Sequence, residues 1–120
     1  MTASIPLVME AALAPLGVMV QTKVPSPRPP ELIRIVDAGG PEITDEALDW
    51  ANVTWEVWAK SEKRAGDLAG EVRDQINHMS GDYAGAFVTT AKATRPRSFY
   101  DEVSGTPRYV GTARLLVQLG

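Results

Sequence analysis

The chain has no cysteine and a single histidine, His78. Without thiols there is no disulfide framework, no thiolate metal centre and no cysteine nucleophile, a composition that suits an intracellular protein. With one histidine, neither a His-rich metal site nor a multi-histidine active centre can be built within one chain. Long hydrophobic runs are also lacking. The most apolar stretch, residues 5–20, is interrupted by Pro6, Glu10 and Pro15 and has no basic flank. It is too short to cross a bilayer, so a soluble chain, neither secreted nor membrane-inserted, is expected. Phosphate-loop, dinucleotide, EF-hand, zinc-spacing and nucleophile-elbow motifs are absent. The acids that do pair in sequence, Asp45/Glu46 and Asp101/Glu102, are adjacent, and adjacent side chains of extended backbone point apart. The sequence therefore predicts a non-enzyme with no cofactor and no metal.

The composition that remains is ordinary. With 44% hydrophobic and 22% charged residues among 120, the chain has enough apolar material for one core, and a single domain over 1–120 is expected. The formal charge of −3 disfavours a general nucleic-acid coat.

Periodicity gives the elements. Residues 6–16 read as a short helix, with proline tolerated in its first turn and Gly17 as a stop. Residues 17–24 alternate as a strand. Pro25, Pro27, Pro29 and Pro30 then impose a stiff connector. Residues 31–38 form a second strand, ended by Gly39, Gly40 and Pro41, and an acidic loop follows. Residues 48–59 form a third strand that holds all three tryptophans. Trp55 falls in its apolar alternate set, with Ala51, Val53 and Val57. Trp50 and Trp58 fall in the mixed set, where an exposed tryptophan marks an interface. Residues 60–79 are the main helix, with Ala65, Leu68, Ala69, Val72, Ile76 and Met79 at helical spacing. His78 in its last turn reads as a helix-end residue favoured by the helix dipole. Residues 85–94 are a fourth strand.

The chain from Pro107 onward is the longest strand. Tyr109, Gly111, Ala113, Leu115, Val117 and Leu119 alternate against a mixed set that includes Arg108, Val110, Arg114 and Leu116. The fold class that follows is α+β: a mainly antiparallel sheet of about five strands with one long and one short helix on one face. The other face keeps Trp58, Val110 and Leu116, which call for a partner.

Charge is segregated along the chain. Asp37, Glu42, Asp45, Glu46 and Asp49 are followed much later by Lys92, Arg95, Arg97, Arg108 and Arg114. Two unlike patches suit a head-to-tail contact between copies, whereas a twofold dimer requires one self-complementary patch. Trp50, Trp58, Asp45, Glu46, Arg95, Arg97, Arg108 and Arg114 are accordingly the candidate interface residues.

Several segments carry a resemblance. They are Val24-Pro25 with Arg28-Pro29-Pro30, Leu32-Ile33-Arg34-Ile35-Val36, Ala38-Gly39-Gly40-Pro41, Val57-Trp58-Ala59, the Ala- and Leu-lined helix, and Asp101 through Val110. In this order and spacing the chain resembles, from about Val18 to Leu119, the tail terminator (tail completion) proteins of long-tailed bacteriophages, particularly those infecting actinobacteria. The resemblance implies an α+β fold and a ring, typically of six subunits. Such a ring caps the head-proximal end of the tail tube, stops its polymerisation and meets the head-side connector. It implies self, tail tube protein and connector or neck proteins as partners, and a virion location after assembly in the host cytoplasm. Genomic DNA would pass the lumen without sequence-specific binding, and acidic lumen side chains would repel its phosphates. It brings no catalytic residue and no cofactor. The alternatives are another neck or head–tail joining protein, or a small dimeric α+β binding module.

Overall fold

The computed structural model describes residues 4–40, 48–103 and 105–118. In chain order the elements are helix α1 (Ile5–Leu13) with a 3-10 turn (Ala14–Leu16), strands β1 (Val20–Gln21), β2 (Leu32–Asp37) and β3 (Leu48–Trp58), helix α2 (Glu62–Asn77), and strands β4 (Gly81–Tyr83), β5 (Ala86–Ala93), β6 (Arg97–Ser98) and β7 (Arg108–Gln118). The sheet runs β1-β2-β3-β7-β5-β4, and β6 also pairs with β7. Every pairing is antiparallel except β1 with β2. Among the described residues no helix is long and apolar enough to cross a membrane.

The α+β class and the helices on one face are as the sequence predicts. Three details differ. The strand expected over 17–24 shrinks to Val20–Gln21 and pairs in parallel with β2. The chain leaves the 3-10 turn through Gly17 at φ 71°, a left-handed conformation that glycine adopts without a Cβ penalty. It then meets the prolines from residue 25, which leaves room for two ladder positions. The other two differences are β4 and β6, which raise the strand count to seven; at three and two residues they are too short to show a period.

The central ladder joins β3 to β7 over eleven residue pairs, from Leu48↔Gln118 to Trp58↔Arg108. Its inward set comprises Ala51, Val53, Trp55 and Val57 with Ala113, Leu115 and Val117, all buried. Onto it pack Ala65, Leu68, Ala69, Val72 and Ile76 of α2, and Val8, Met9, Ala12 and Leu13 of α1. Trp55 and Gly111 are direct cross-strand partners. The indole lies over Gly111 so closely that an added Cβ would collide with its six-membered ring. Its Nε1–H donates to the Thr112 carbonyl at 3.2 Å. The glycine is there because the ring occupies the place of a side chain.

Helix α2 starts at Ser61, whose Oγ accepts from the Arg64 amide at 3.1 Å. It ends with the His78 amide donating to the Asp74 carbonyl, which the ring Nδ1 also meets at 2.7 Å. The histidine is thus a helix-end residue. Gln75 Nε2 donates to the Ala12 carbonyl and ties α2 to α1. The Ala93 amide donates to Asn77 Oδ1 and ties α2 to β5. At the helix start, Arg64 donates from Nε and Nη2 to the Glu31 carboxylate at 2.7 and 2.9 Å, joining α2 to the beginning of β2. These bonds hold the Glu31 carboxyl below its usual range, against the opposing effect of burial.

Two outcomes are expected. Gly111→Ala forces the Trp55 indole aside and lowers unfolding free energy by about 1–3 kcal/mol, measured by urea titration. The Glu31 contribution has the sign of a depressed carboxylate: it is full above the ordinary glutamate pKa of about 4.3 and fades as pH falls through the lower folded value. Melting temperatures across that window should fall less steeply for Glu31→Gln than for the wild type.

Candidate interaction surface

Period-2 alternation and the registered pairs define the sheet face turned away from the helices. One row across it comprises Leu32, Trp58 and Arg108, the next Arg34, Glu56, Val110 and Arg97, and the next Val36, Thr54 and Thr112. Asn52, Arg114 and Lys92 follow, then Trp50, Leu116 and Thr90. Among the described residues no helix covers this face.

Its end near β6 is covered by the chain's own loops. Trp58 is only 3% exposed. Its Nε1–H donates to Asp101 Oδ2 at 3.2 Å, and the guanidinium groups of Arg28 and Arg108 lie 5.9 and 5.8 Å from its ring centroid. Arg28 also donates to Thr106 Oγ1 at 2.6 Å and reaches Asp101 at 4.0 Å. The proline-rich connector and the β6–β7 hairpin thus close over Trp58 from two sides. The expectation of an exposed Trp58 is corrected: the register puts it on the open face, but the partner it calls for is its own chain.

Arg108 is drawn into the same packing. Its Nη1 donates to Glu56 Oε2 at 3.2 Å and its Nε to the Phe99 carbonyl at 3.1 Å, and it sits 4.7 Å from the Phe99 ring centroid. Glu56 also accepts from Arg34 Nη1 at 2.8 Å. One buried carboxylate therefore links guanidinium groups from the two strands that flank β3. Arg34 additionally donates from Nε to the Thr22 carbonyl, which holds the end of β1.

The other candidates divide. Arg114 places its guanidinium 4.4 Å from the centroid of Trp50, and Trp50 is half-buried beside Leu116. Arg97 lies over Phe99 at 5.4 Å. Arg95 is exposed where β5 gives way to β6. Asp45 and Glu46 lie outside the described residues. The structure thus gathers Trp50, Arg97 and Arg114 on one open face, and assigns Trp58 and Arg108 to internal packing.

Sequence reasoning left Glu56, Arg34 and Arg28 out of the interface candidates, and counted Lys92 among the basic residues of the later segment without making it one. Lys92 is the direct cross-strand partner of Arg114. Both are exposed and neither forms an ion pair among the described residues. Like charges placed opposite each other on one sheet face destabilise the pair. The sequence carried no usable signal for its facing: Lys92 shares its parity with the buried Ala86 and Val88, and only the register shift between Val88 and Thr90 turns it outward, opposite Arg114. Between these cations and β3 runs a groove of about 600 Å³, lined by Asn52, Thr54, Lys92, Thr94, Thr112 and Arg114 among others. Among the described residues no group of three His, Cys, Asp or Glu side chains is placed to hold a metal ion.

The β6–β7 hairpin ends in an apolar tip: Phe99 and Tyr100 are about half exposed and Val103 is 99% exposed. The tip is braced by Asp101, whose amide donates to the Thr106 carbonyl and whose Oδ1 accepts from the Val103 amide at 3.1 Å.

Replacing Glu56 with glutamine leaves two arginines sharing one neutral carbonyl. The expected loss is about 1–3 kcal/mol of unfolding free energy, read by urea titration. An accompanying Arg34→Met change should recover part of that loss by removing one unpaired cation.

No family model matches the chain, and no curated protein matches it. Among solved structures it is similar to a chain of the virion of a native gene transfer agent particle. The two share 17% identity and a TM-score of 0.63 over 90% of this chain and 84% of that one. At that identity the likeness is one of fold, and it extends over nearly the whole of both chains.

Proposed function

We propose that the protein is a structural component of a virion that caps the head-proximal end of a phage tail tube. In this reading it assembles as a ring of six subunits, which stops tube polymerisation and joins the tail to the head-side connector. The observation that carries the reading is the fold shared, over most of both chains, with a chain of a gene transfer agent virion. The segments that resemble the tail terminators favour the end of the tail tube as its station.

The physical requirements of a cap agree with this. A cap performs no covalent chemistry; it needs one surface that fits the tube and another that does not offer a further tube end. The apolar hairpin tip at Phe99, Tyr100 and Val103 and the open sheet face are distinct surfaces on distinct parts of the molecule. A ring also needs a heterologous contact between copies, and a face on which Lys92, Arg97 and Arg114 form no ion pair among the described residues, on a chain of net charge −3, suits one. DNA passing through the lumen needs no sequence-specific site, and none is assigned.

A second reading has the same support. The matched structure is a whole particle, so its fold also fits another neck or head–tail joining subunit. The two readings part in a tube-growth assay. Tail tube protein is polymerised with and without the purified chain, and the products are examined by electron microscopy and light scattering. Capping gives short tubes with a ring at one end. Tubes of unchanged length, with the chain bound to connector protein alone, would move the assignment to the joining subunit. A stable dimer that ignores both would reject a virion role.

A further inference from the structure

Charge is unevenly spread over the molecule. The chain totals −3, yet the charged strand residues of the open face are Arg34, Lys92, Arg97, Arg108 and Arg114 against Glu56 and Asp82. Arg34 and Arg108 share the single carboxylate of Glu56, which leaves that cluster positive. Lys92, Arg97 and Arg114 are exposed and form no ion pair among the described residues. Lys92 and Arg114 are held directly opposite each other, an arrangement that disfavours the free chain and that a bound anion relieves.

These cations lie in a line. Lys92 and Arg114 face each other across β5 and β7, Thr94 and Thr112 come next, and Arg97 follows beside Val110. At the strand rise, the row of Arg114 and the row of Arg97 are about 13 Å apart along β7. The groove beside this line is also lined by Asn52 and Thr54. Arginine, lysine, threonine and asparagine are among the side chains that meet phosphate and sugar oxygens in nucleic-acid complexes.

The chemistry selects among anionic occupants. A second copy of this chain is one competitor, but Asp67 and Glu71 of α2 are already engaged by Lys63 and Arg64, and Glu31 by Arg64 as well. A line of cations is better matched by a polyanion whose charges repeat. Duplex DNA carries one negative charge per about 1.7 Å of axis, so a 13 Å line meets roughly eight charges in any register. None of the described residues that line the groove is aromatic, and the ring of Trp50 lies under the Arg114 guanidinium at 4.4 Å. With no stacking platform in the groove, the phosphates of an intact duplex are favoured over a single strand, which relies on base stacking.

We propose that the open sheet face binds duplex DNA through its phosphodiester backbone, without reading sequence. Lys92, Arg97 and Arg114 contact phosphates, and the Asn52 amide and the threonine hydroxyls border them. The contact belongs to the single chain, so it stands or falls apart from the capping reading.

The test is fluorescence anisotropy of a labelled duplex of about 20 base pairs, titrated with the full chain at several salt concentrations. Wild type should bind in the micromolar range at about 50 mM salt, and duplexes of unrelated sequence should bind alike. Log K should fall against log salt with a slope of about −3, as expected for contacts by Lys92, Arg97 and Arg114. Lys92→Gln with Arg114→Gln should weaken binding by about tenfold or more and make the slope shallower by about 2. Lys92→Gln alone should change the slope by about 1, and Lys92→Arg should keep it. Lys60→Gln with Lys63→Gln removes equal charge beside the start of α2 and should leave the slope unchanged. Far-UV circular dichroism confirms that each variant folds.

A double glutamine variant with the wild-type slope would overturn the proposal, as would an equal loss in the Lys60 and Lys63 control. Tighter binding of a single strand than of the duplex, at equal phosphate concentration, would overturn it too. Polyglutamate that binds where the duplex does not would give the face to an acidic protein. Loss of self-association in the double glutamine variant, with DNA binding unchanged, would give it to a second copy. Either result rejects the DNA contact.

Discussion

The contact between the Trp55 indole and Gly111 sets the geometry of everything around it. A tryptophan in the middle of the longest ladder needs a partner with no side chain, and β7 supplies one at the registered position. A slip of one residue would bring Val110 or Thr112 under the indole and turn every inward side chain outward. The ring therefore fixes the register of β3 against β7, and that register fixes which residues face the helices and which face away. The Nε1–H bond to Thr112 adds an orientation. Thr94, just after β5, bonds the same carbonyl through its amide and hydroxyl, so one backbone oxygen of β7 is met from both sides.

Much of this was legible because it is periodic. The α2 face, the inward sets of β3 and β7, and the placement of Trp55 in the core all follow from intervals of 3.6 or 2 residues. What was not legible depends on pairing between distant segments. Trp58 looked like an unpartnered aromatic because Arg28, Asp101 and Arg108, which enclose it, are 30 to 50 residues away in sequence. Glu56 looked like an ordinary polar alternate until Arg34 and Arg108 were seen on its two sides. The acidic and basic segments of the sequence suggested two patches along the chain. The fold turns part of that contrast into one between faces, because β5, β6 and β7 bring Lys92, Arg97 and Arg114 onto a single surface.

This separation gives the two sides of the sheet different roles. The inner side is apolar, bears both helices and holds the chain together. The outer side is half sealed by the proline-rich connector and the β6–β7 hairpin, through contacts of aromatic rings, guanidinium groups and two carboxylates. Its remaining half keeps cations that form no ion pair among the described residues, and a groove. A surface used only for solubility needs no like-charged cross-strand pair, whereas one that meets an anionic partner gains from it.

The break between β5 and β6 has a further consequence. Arg95 and Pro96 lie opposite the single residue Gly111, and proline brings no amide to the ladder, so the second edge of β7 is served by two separate strands. The hairpin tip is carried by the shorter of them, with only two registered pairs, while the core ladder continues without it. Substitutions at the exposed tip residues Tyr100, Glu102 and Val103 are therefore insulated from the indole–glycine register, whereas Asp101 and Thr106 stay tied to Trp58 and Arg28. The tip behaves as a replaceable cassette: the part of the hairpin that can be rewritten for a new neighbour while the residues that seal Trp58 stay the same.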